Sequence, residues 1–211
     1  MKIIKTCSYV LTEESLEKDI DRFIRDAKNG AYQWDYKYEH EGLKTIKAYF
    51  RMIEEEFKKQ NYDVARACYK KLMFLLLQNK YNYFDYEDIV GKLNFDKFIA
   101  NYFTCLLKIY NVEELFREYA EYLEVKEGYG FEADKIIFAG LSGEDRQKFI
   151  IMAEKEAENV KDEEYGKYDL IYFLLEQAKA EKDRVKYDAL CDKYEKLLCE
   201  EDLKEEFDSE D

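Results

Sequence analysis

The single histidine, His40, is the first residue to weigh, because imidazole is the side chain best suited to proton transfer near neutral pH. It stands in Glu39-His40-Glu41. No second histidine follows four residues on, so the H-E-x-x-H zinc pattern is absent. Position 37 is Lys37, where the E-x-x-H of a di-iron bundle requires glutamate. A Ser-His-Asp or Cys-His arrangement would have to use this same residue, and nothing around it favours one. His40 therefore reads as a surface histidine between two acids. Gly128-Tyr129-Gly130-x-x-Ala133 imitates a dinucleotide-binding fingerprint, but that motif needs a β-strand before it. Here the preceding EYLEVKE is the end of a helix, and the glycines read as a connector. No Walker A motif and no EF-hand loop occurs. The five cysteines, Cys7, Cys68, Cys105, Cys191 and Cys199, are odd in number, scattered and without a C-x-x-C pair, which suggests neither a disulfide framework nor a zinc site. Cys68 and Cys105 fall in strongly apolar helical stretches, as small buried hydrophobes do. The expectation is a protein that is not an enzyme, with no catalytic residue, no metal ligand and no cofactor.

The chemistry that the sequence does offer is aromatic. It holds 20 tyrosines and 14 phenylalanines. Two clusters alternate aromatic and polar residues and fit no single helical stripe: Tyr32-Gln33-Trp34-Asp35-Tyr36-Lys37-Tyr38 and Tyr81-Asn82-Tyr83-Phe84-Asp85-Tyr86. Tyrosine and tryptophan combine large contact area with a polar tip, which suits them to binding surfaces. Trp34, Tyr36, Tyr38, Tyr81, Tyr83 and Tyr86 are accordingly the candidate partner-binding residues. The competing role for the same side chains is to cover the end of a helical stack, where a terminal unit lacks a neighbour.

The elements that would position them are helices. The chain of 211 residues contains no proline, where average usage would give roughly ten, and only eight glycines. Long helices with short connectors tolerate that composition; a fold of many strands and tight turns does not. A helix over about 13–28 carries Leu16, Ile20, Phe23, Ile24 and Ala27 at helical spacing, with Thr12 as its N-cap and Gly30 as the glycine past its end. A second, over about 36–59, carries Leu43, Ile46, Phe50, Ile53 and Phe57, spaced 3, 4, 3, 4. A third starts at about 62 and runs through Leu77, so close behind that the two must fold back on each other.

Asn61-Tyr62-x-x-Ala65-x-x-x-Tyr69-x-x-Leu72 resembles the second helix of a tetratricopeptide repeat, in which a small residue and an aromatic four apart let neighbouring helices pack closely. The 3, 4, 3 spacing recurs at Val112, Leu115, Tyr119 and Tyr122, at Ile150, Ala153, Ala157 and Val160, and at Tyr187, Leu190, Tyr194 and Leu197. The starting positions 62, 112, 150 and 187 step by 50, 38 and 37, near the repeat lengths of tetratricopeptide and HEAT-like units. Residues 79–94 read as an insertion. Partner helices precede each unit: Phe95 through Ile109, Phe131 through Leu141 (ended by Gly140, with Ser142 capping the next and Asp145 three residues on), and Tyr168 through Ala178. The closing proline of the tetratricopeptide pattern is missing, and of Ile53, Phe103, Leu141 and Ala178 at the tight crossing only Ala178 is small. The resemblance implies an all-α fold of about nine helices, four stacked antiparallel hairpins and a leading helix, an α-solenoid formed by a single domain over 1–211.

Charge narrows the partners. The last twelve residues, EEDLKEEFDSED, hold eight acids and one lysine, so half of the net charge of −14 lies in 200–211, which reads as a frayed acidic extension of the last helix. The body is mildly acidic with no basic cluster, which disfavours nucleic acid as a partner. No stretch approaches the ~18 consecutive apolar residues of a membrane span, and the start, MKIIKTCSYVL, lacks a continuous apolar core and a cleavage site. The expectation is a cytoplasmic scaffold or regulator holding a basic or apolar protein or peptide segment in a groove, with self-association open. The alternative is an acidic inhibitor or immunity-type protein that blocks a basic site on its partner.

Overall fold

The structure, a computed structural model, describes residues 15–32, 41–78, 83–84, 89–126, 130–131, 133–159, 165–198 and 207. Among them are nine α-helices and no strand: α1 Leu16–Lys28, α2 Glu41–Lys58, α3 Tyr62–Leu77, α4 Phe95–Ile109, α5 Val112–Lys126, α6 Ala133–Gly140, α7 Gly143–Ala157, α8 Tyr165–Ala180 and α9 Arg184–Tyr194. The all-α class and the helix count are as the hydrophobic spacing predicts.

A chain without proline must end its helices by other means. Three helices close with a residue in the left-handed region, which lets the last carbonyls be satisfied from beyond the helix. At the end of α1, Gly30 has φ 84°; its N–H donates to Ala27 O at 3.0 Å, and the Ala31 N–H donates to Asp26 O at 3.0 Å. The same pair of bonds closes α2, where Gln60 (φ 64°) donates to Phe57 and Asn61 to Glu56, and α8, where Lys182 (φ 56°) donates to Lys179 and Asp183 to Ala178. Starts are made by short polar side chains that accept a free backbone N–H: Ser15 from Lys18, Asn94 from Lys97, Asn111 from Glu114, Ser142 from Asp145 and Asp183 from Lys186. Ser15 corrects the expected start of α1. Its carbonyl and hydroxyl begin the helix, with Glu17 and Asp19 in the first turn; Thr12 lies outside the described residues. At α7 the Ser142 hydroxyl also donates to Asp145 Oδ2 at 2.8 Å.

The chain divides into two compact units, Met1–Tyr110 with Gly130–Gly140, and Asn111–Tyr129 with Leu141–Asp211. Membership does not follow sequence order, since α6 belongs with α1–α4 and α5 with α7–α9. In the first unit α3 is the central element, packing on α1, α2 and α4, while α4 also packs on α2 and α6. In the second, α8 packs on α5, α7 and α9, and α5 also packs on α7. Of the four hairpins read from the sequence, α2–α3 and α8–α9 each pack within one unit; the helices of the other two are divided between the units.

Each unit has its own core, and the 3, 4, 3 stripes build it. Ala65, Tyr69 and Leu72 of α3 are buried, as are Val112, Leu115, Tyr119 and Tyr122 of α5, Ile150, Ala153 and Ala157 of α7, and Tyr187, Leu190 and Tyr194 of α9. Val160 lies outside the described residues. The helices carrying the stripes begin at 62, 112, 143 and 184, so the unit length read from the stripes differs from the spacing of the helices themselves. In the first unit Phe50 and Phe98 stack at 3.8 Å between centroids and 8° between planes, and the buried Tyr69 hydroxyl accepts a hydrogen bond from Asn101 Nδ2 at 2.9 Å. In the second, Phe149 is surrounded by Phe116, Tyr119 and Phe173 at 5.1, 5.4 and 5.9 Å.

Gly140 is also corrected. It is the last residue of α6 and does not take the left-handed conformation of a helix-ending glycine. Its role is close approach, since a Cβ there would lie 2.5 Å from Leu107 Cδ1 on α4. The missing side chain is what lets α6 pack against α4.

Candidate functional site

The site begins with Phe23, the fully buried aromatic of α1. One helical turn later α1 ends, and the left-handed Gly30 reverses the chain so that Tyr32 returns over the same helix end. Its ring lies 5.0 Å from Phe23. Phe84 stacks on Phe23 from another side, at 5.8 Å and 19°, and also lies 5.8 Å from Tyr32. Tyr49 of α2 completes the group at 5.3 Å from Phe23. The first turn of α2 passes so close that a Cβ on Gly42 would meet the Phe84 ring at 3.0 Å and the Tyr32 ring at 3.5 Å. Aromatic pairs at these separations contribute about 0.5–1.5 kcal/mol each beyond the area they bury.

The two tyrosine-rich clusters of the sequence thus meet at one end of the first unit, through Tyr32 of one and Phe84 of the other. Their members divide by exposure. Phe84 is buried against α1 and α2, whereas Tyr32 and Tyr83 are half-buried. Of the six candidate binding residues, Tyr83 is the one the structure describes; Trp34, Tyr36, Tyr38, Tyr81 and Tyr86 lie outside the described residues, as does His40. Phe23, Tyr49 and Gly42 belong to the patch and were not singled out in the sequence. Phe23 sits in a regular core stripe that hides its second role. Gly42, a glycine inside the first turn of a helix, is the one local signal that something approaches there closely.

The charged groups around the helices serve to hold them together. Lys71 of α3 lies between Glu17 and Asp21 of α1, at 2.8 and 2.7 Å. Burial pulls its ammonium down, but the bonds to the two carboxylates outweigh this and hold its pKa above the ordinary value. Lys97 of α4 meets Glu54 of α2 at 2.8 Å, and in the second unit Lys126 of α5 meets Asp169 of α8 at 2.8 Å. Cys68, Cys105 and Cys191 are buried and lie in no disulfide. Burial pushes the Cys68 and Cys105 thiols up to about 12, so they are protonated at neutral pH and are not nucleophiles. No group of three or more potential metal ligands occurs among the described residues.

What this arrangement offers is a rigid aromatic platform. The buried Phe23 and Phe84 hold the ring of the half-buried Tyr32, and the half-buried Tyr83 directly precedes Phe84 in the chain. Such a surface accepts apolar side chains and, over the ring faces, lysine or arginine. No helix among the described residues is long and apolar enough to cross a membrane. Comparison with protein-family models, with curated proteins and with solved structures finds no match to this chain.

Proposed function

We propose that this protein is a protein- or peptide-binding helical scaffold or regulator, without catalytic activity of its own, that acts in the cytoplasm. The aromatic end of the first unit is the place where it takes a basic or apolar segment of its partner. The observation that carries this reading is the convergence of Tyr32 and Phe84, members of two segments about fifty residues apart, with the half-exposed Tyr83 beside them. A patch serving only as a cap would need its rings buried; here Phe84 meets that need, and the tyrosines leave surface over. The net charge of −14 adds an attraction for basic partners. Buried thiols that lie in no disulfide suit a reducing compartment.

A substitution series across the patch tests the reading. Tyr83→Ala and Tyr81→Ala, with Trp34→Ala and Tyr36→Ala, should weaken capture of the protein partner from native lysate while leaving the thermal midpoint close to wild type. Phe84→Ala, which removes a buried ring, should lower stability. If the tyrosine and tryptophan substitutions cost stability and leave capture unchanged, the patch is a cap and this assignment of the site is wrong.

A further inference from the structure

The acidic C-terminal segment carries a second observation, independent of the aromatic patch. Phe207 is the one aromatic among the last twelve residues, flanked by Glu205, Glu206 and Asp208. Its ring is half-buried and packs on α9. The Tyr187 ring meets it edge-on at 5.1 Å and 62°, and the Arg184 guanidinium carbon lies 5.0 Å from its centroid. Arg184 is held in place from its other side, because its Nε donates to Asp188 Oδ1 and Oδ2 at 2.9 and 3.1 Å. The first turn of α9 is fixed as well: Asp183 caps it through the Lys186 N–H, and the Lys186 ammonium meets Glu154 of α7 at 2.9 Å.

We infer that this face of α9 is a receptor for a phenylalanine set in an acidic sequence, and that the chain's own tail occupies it in cis through Phe207. The receptor has two parts, a tyrosine edge and a guanidinium that Asp188 orients over the ring position. Both recognise an aromatic ring, and the guanidinium in addition favours one with carboxylates beside it. One such ring contact is weak between separate molecules. It forms here because Phe207 is only nine residues beyond Leu198, the last residue described before it, and a short tether supplies an effective concentration in the millimolar range. A contact held by tethering is displaceable. A partner segment with the same acid-flanked phenylalanine, present above the effective concentration of the tether, would exchange with the tail. The tail is then a built-in competitor that keeps this face closed to weaker ligands of the same kind. The inference does not depend on the reading of the first unit, since it concerns α9 alone.

The test uses the full-length chain and a labelled peptide of residues 200–211, EEDLKEEFDSED, titrated while backbone and Arg side-chain N–H resonances are followed by NMR. The Phe207→Ala protein should bind this peptide at least tenfold more tightly than wild type, with shifts centred on Arg184 and Tyr187. Adding Arg184→Gln to that protein should remove most of the binding, and a peptide with alanine for phenylalanine should not bind. Circular dichroism of each variant at wild-type helicity shows that the fold is intact. Equal binding to wild type and to Phe207→Ala would mean that the tail does not occupy the face, and binding to neither would mean that the face is no receptor; either overturns the inference.

Discussion

Gln60 and Lys182 hold the left-handed conformation at helix ends where the third such position, Gly30, is a glycine. For a residue with a Cβ that conformation costs roughly 1–2 kcal/mol, because the Cβ crowds the following carbonyl. Glycine escapes this but loses more backbone freedom on folding, which returns about half of the gain. Both side chains are exposed, and the hydrogen bonds that close α2 and α8 come from the backbone, so replacement removes no contact of the core. Gln60→Gly and Lys182→Gly should each stabilise the protein by about 0.5–1 kcal/mol. With a urea slope of about 1–3 kcal/mol per molar, each moves the midpoint upward by about 0.2–1 M, read by circular dichroism at 222 nm. The two sites belong to different units, so the double variant should show the sum within about 0.5 kcal/mol. Gly30→Ala should act in the opposite direction, by the same reasoning about 0.5–1 kcal/mol. A lowered midpoint in either glycine variant would refute the reasoning, because it would mean that left-handed strain is not what these turns carry.

Three further outcomes are expected. Gly140→Ala places a methyl against the half-buried Leu107, which must turn away, and should cost about 1–3 kcal/mol in the same urea assay. Cys68 and Cys105 should resist alkylation in the native protein and react fully in urea, as identified by peptide mass spectrometry. Glu56 accepts hydrogen bonds from Lys59 Nζ at 2.7 Å and Asn61 Nδ2 at 2.6 Å, which hold its carboxyl below the ordinary 4.5. A lowered folded-state pKa contributes stability that is present above the unfolded value and lost as pH falls through the folded one. Glu56→Gln should therefore destabilise at neutral pH and become neutral as the pH drops below 4.5 through the folded value, and a destabilisation equal at both pH values would contradict the pairing.

Element identity was legible because it is local. The starts of α3, α4 and α5 at 62, 95 and 112 coincide with the first residue of an apolar stripe, and Gly30 marks an end by its left-handed backbone and Ser142 a start by its side-chain hydroxyl. The association of the helices was not legible. A 3, 4, 3 stripe says that a helix has a buried face and nothing about what covers it, so the grouping of α6 with α1–α4, which includes the close approach of Gly140 to Leu107, is announced by no local pattern. The stripes also slide by one or two turns within their helices, so that Ile150 marks a helix that begins at Gly143. Gln60 and Lys182 end helices without the residue type that signals such an end. At the candidate site, composition pointed to two tyrosine-rich segments, but the packing of Tyr32 on Phe84 is set by the turn after α1 and is visible only in three dimensions. Phe207 was hidden differently: in a run of acids it read as part of a solvated tail, and a single aromatic has no periodicity to reveal what it touches.

The claim at the centre of this account is that the protein works by holding a basic or apolar protein segment. Capture from native lysate, with washes at low and moderate salt and identification of the retained material by mass spectrometry, tests it most directly. A stoichiometric protein partner that elutes as salt rises, and that is lost with Tyr83→Ala, is the result predicted. Retention of the protein alone, or of a small molecule in place of a protein, would contradict it.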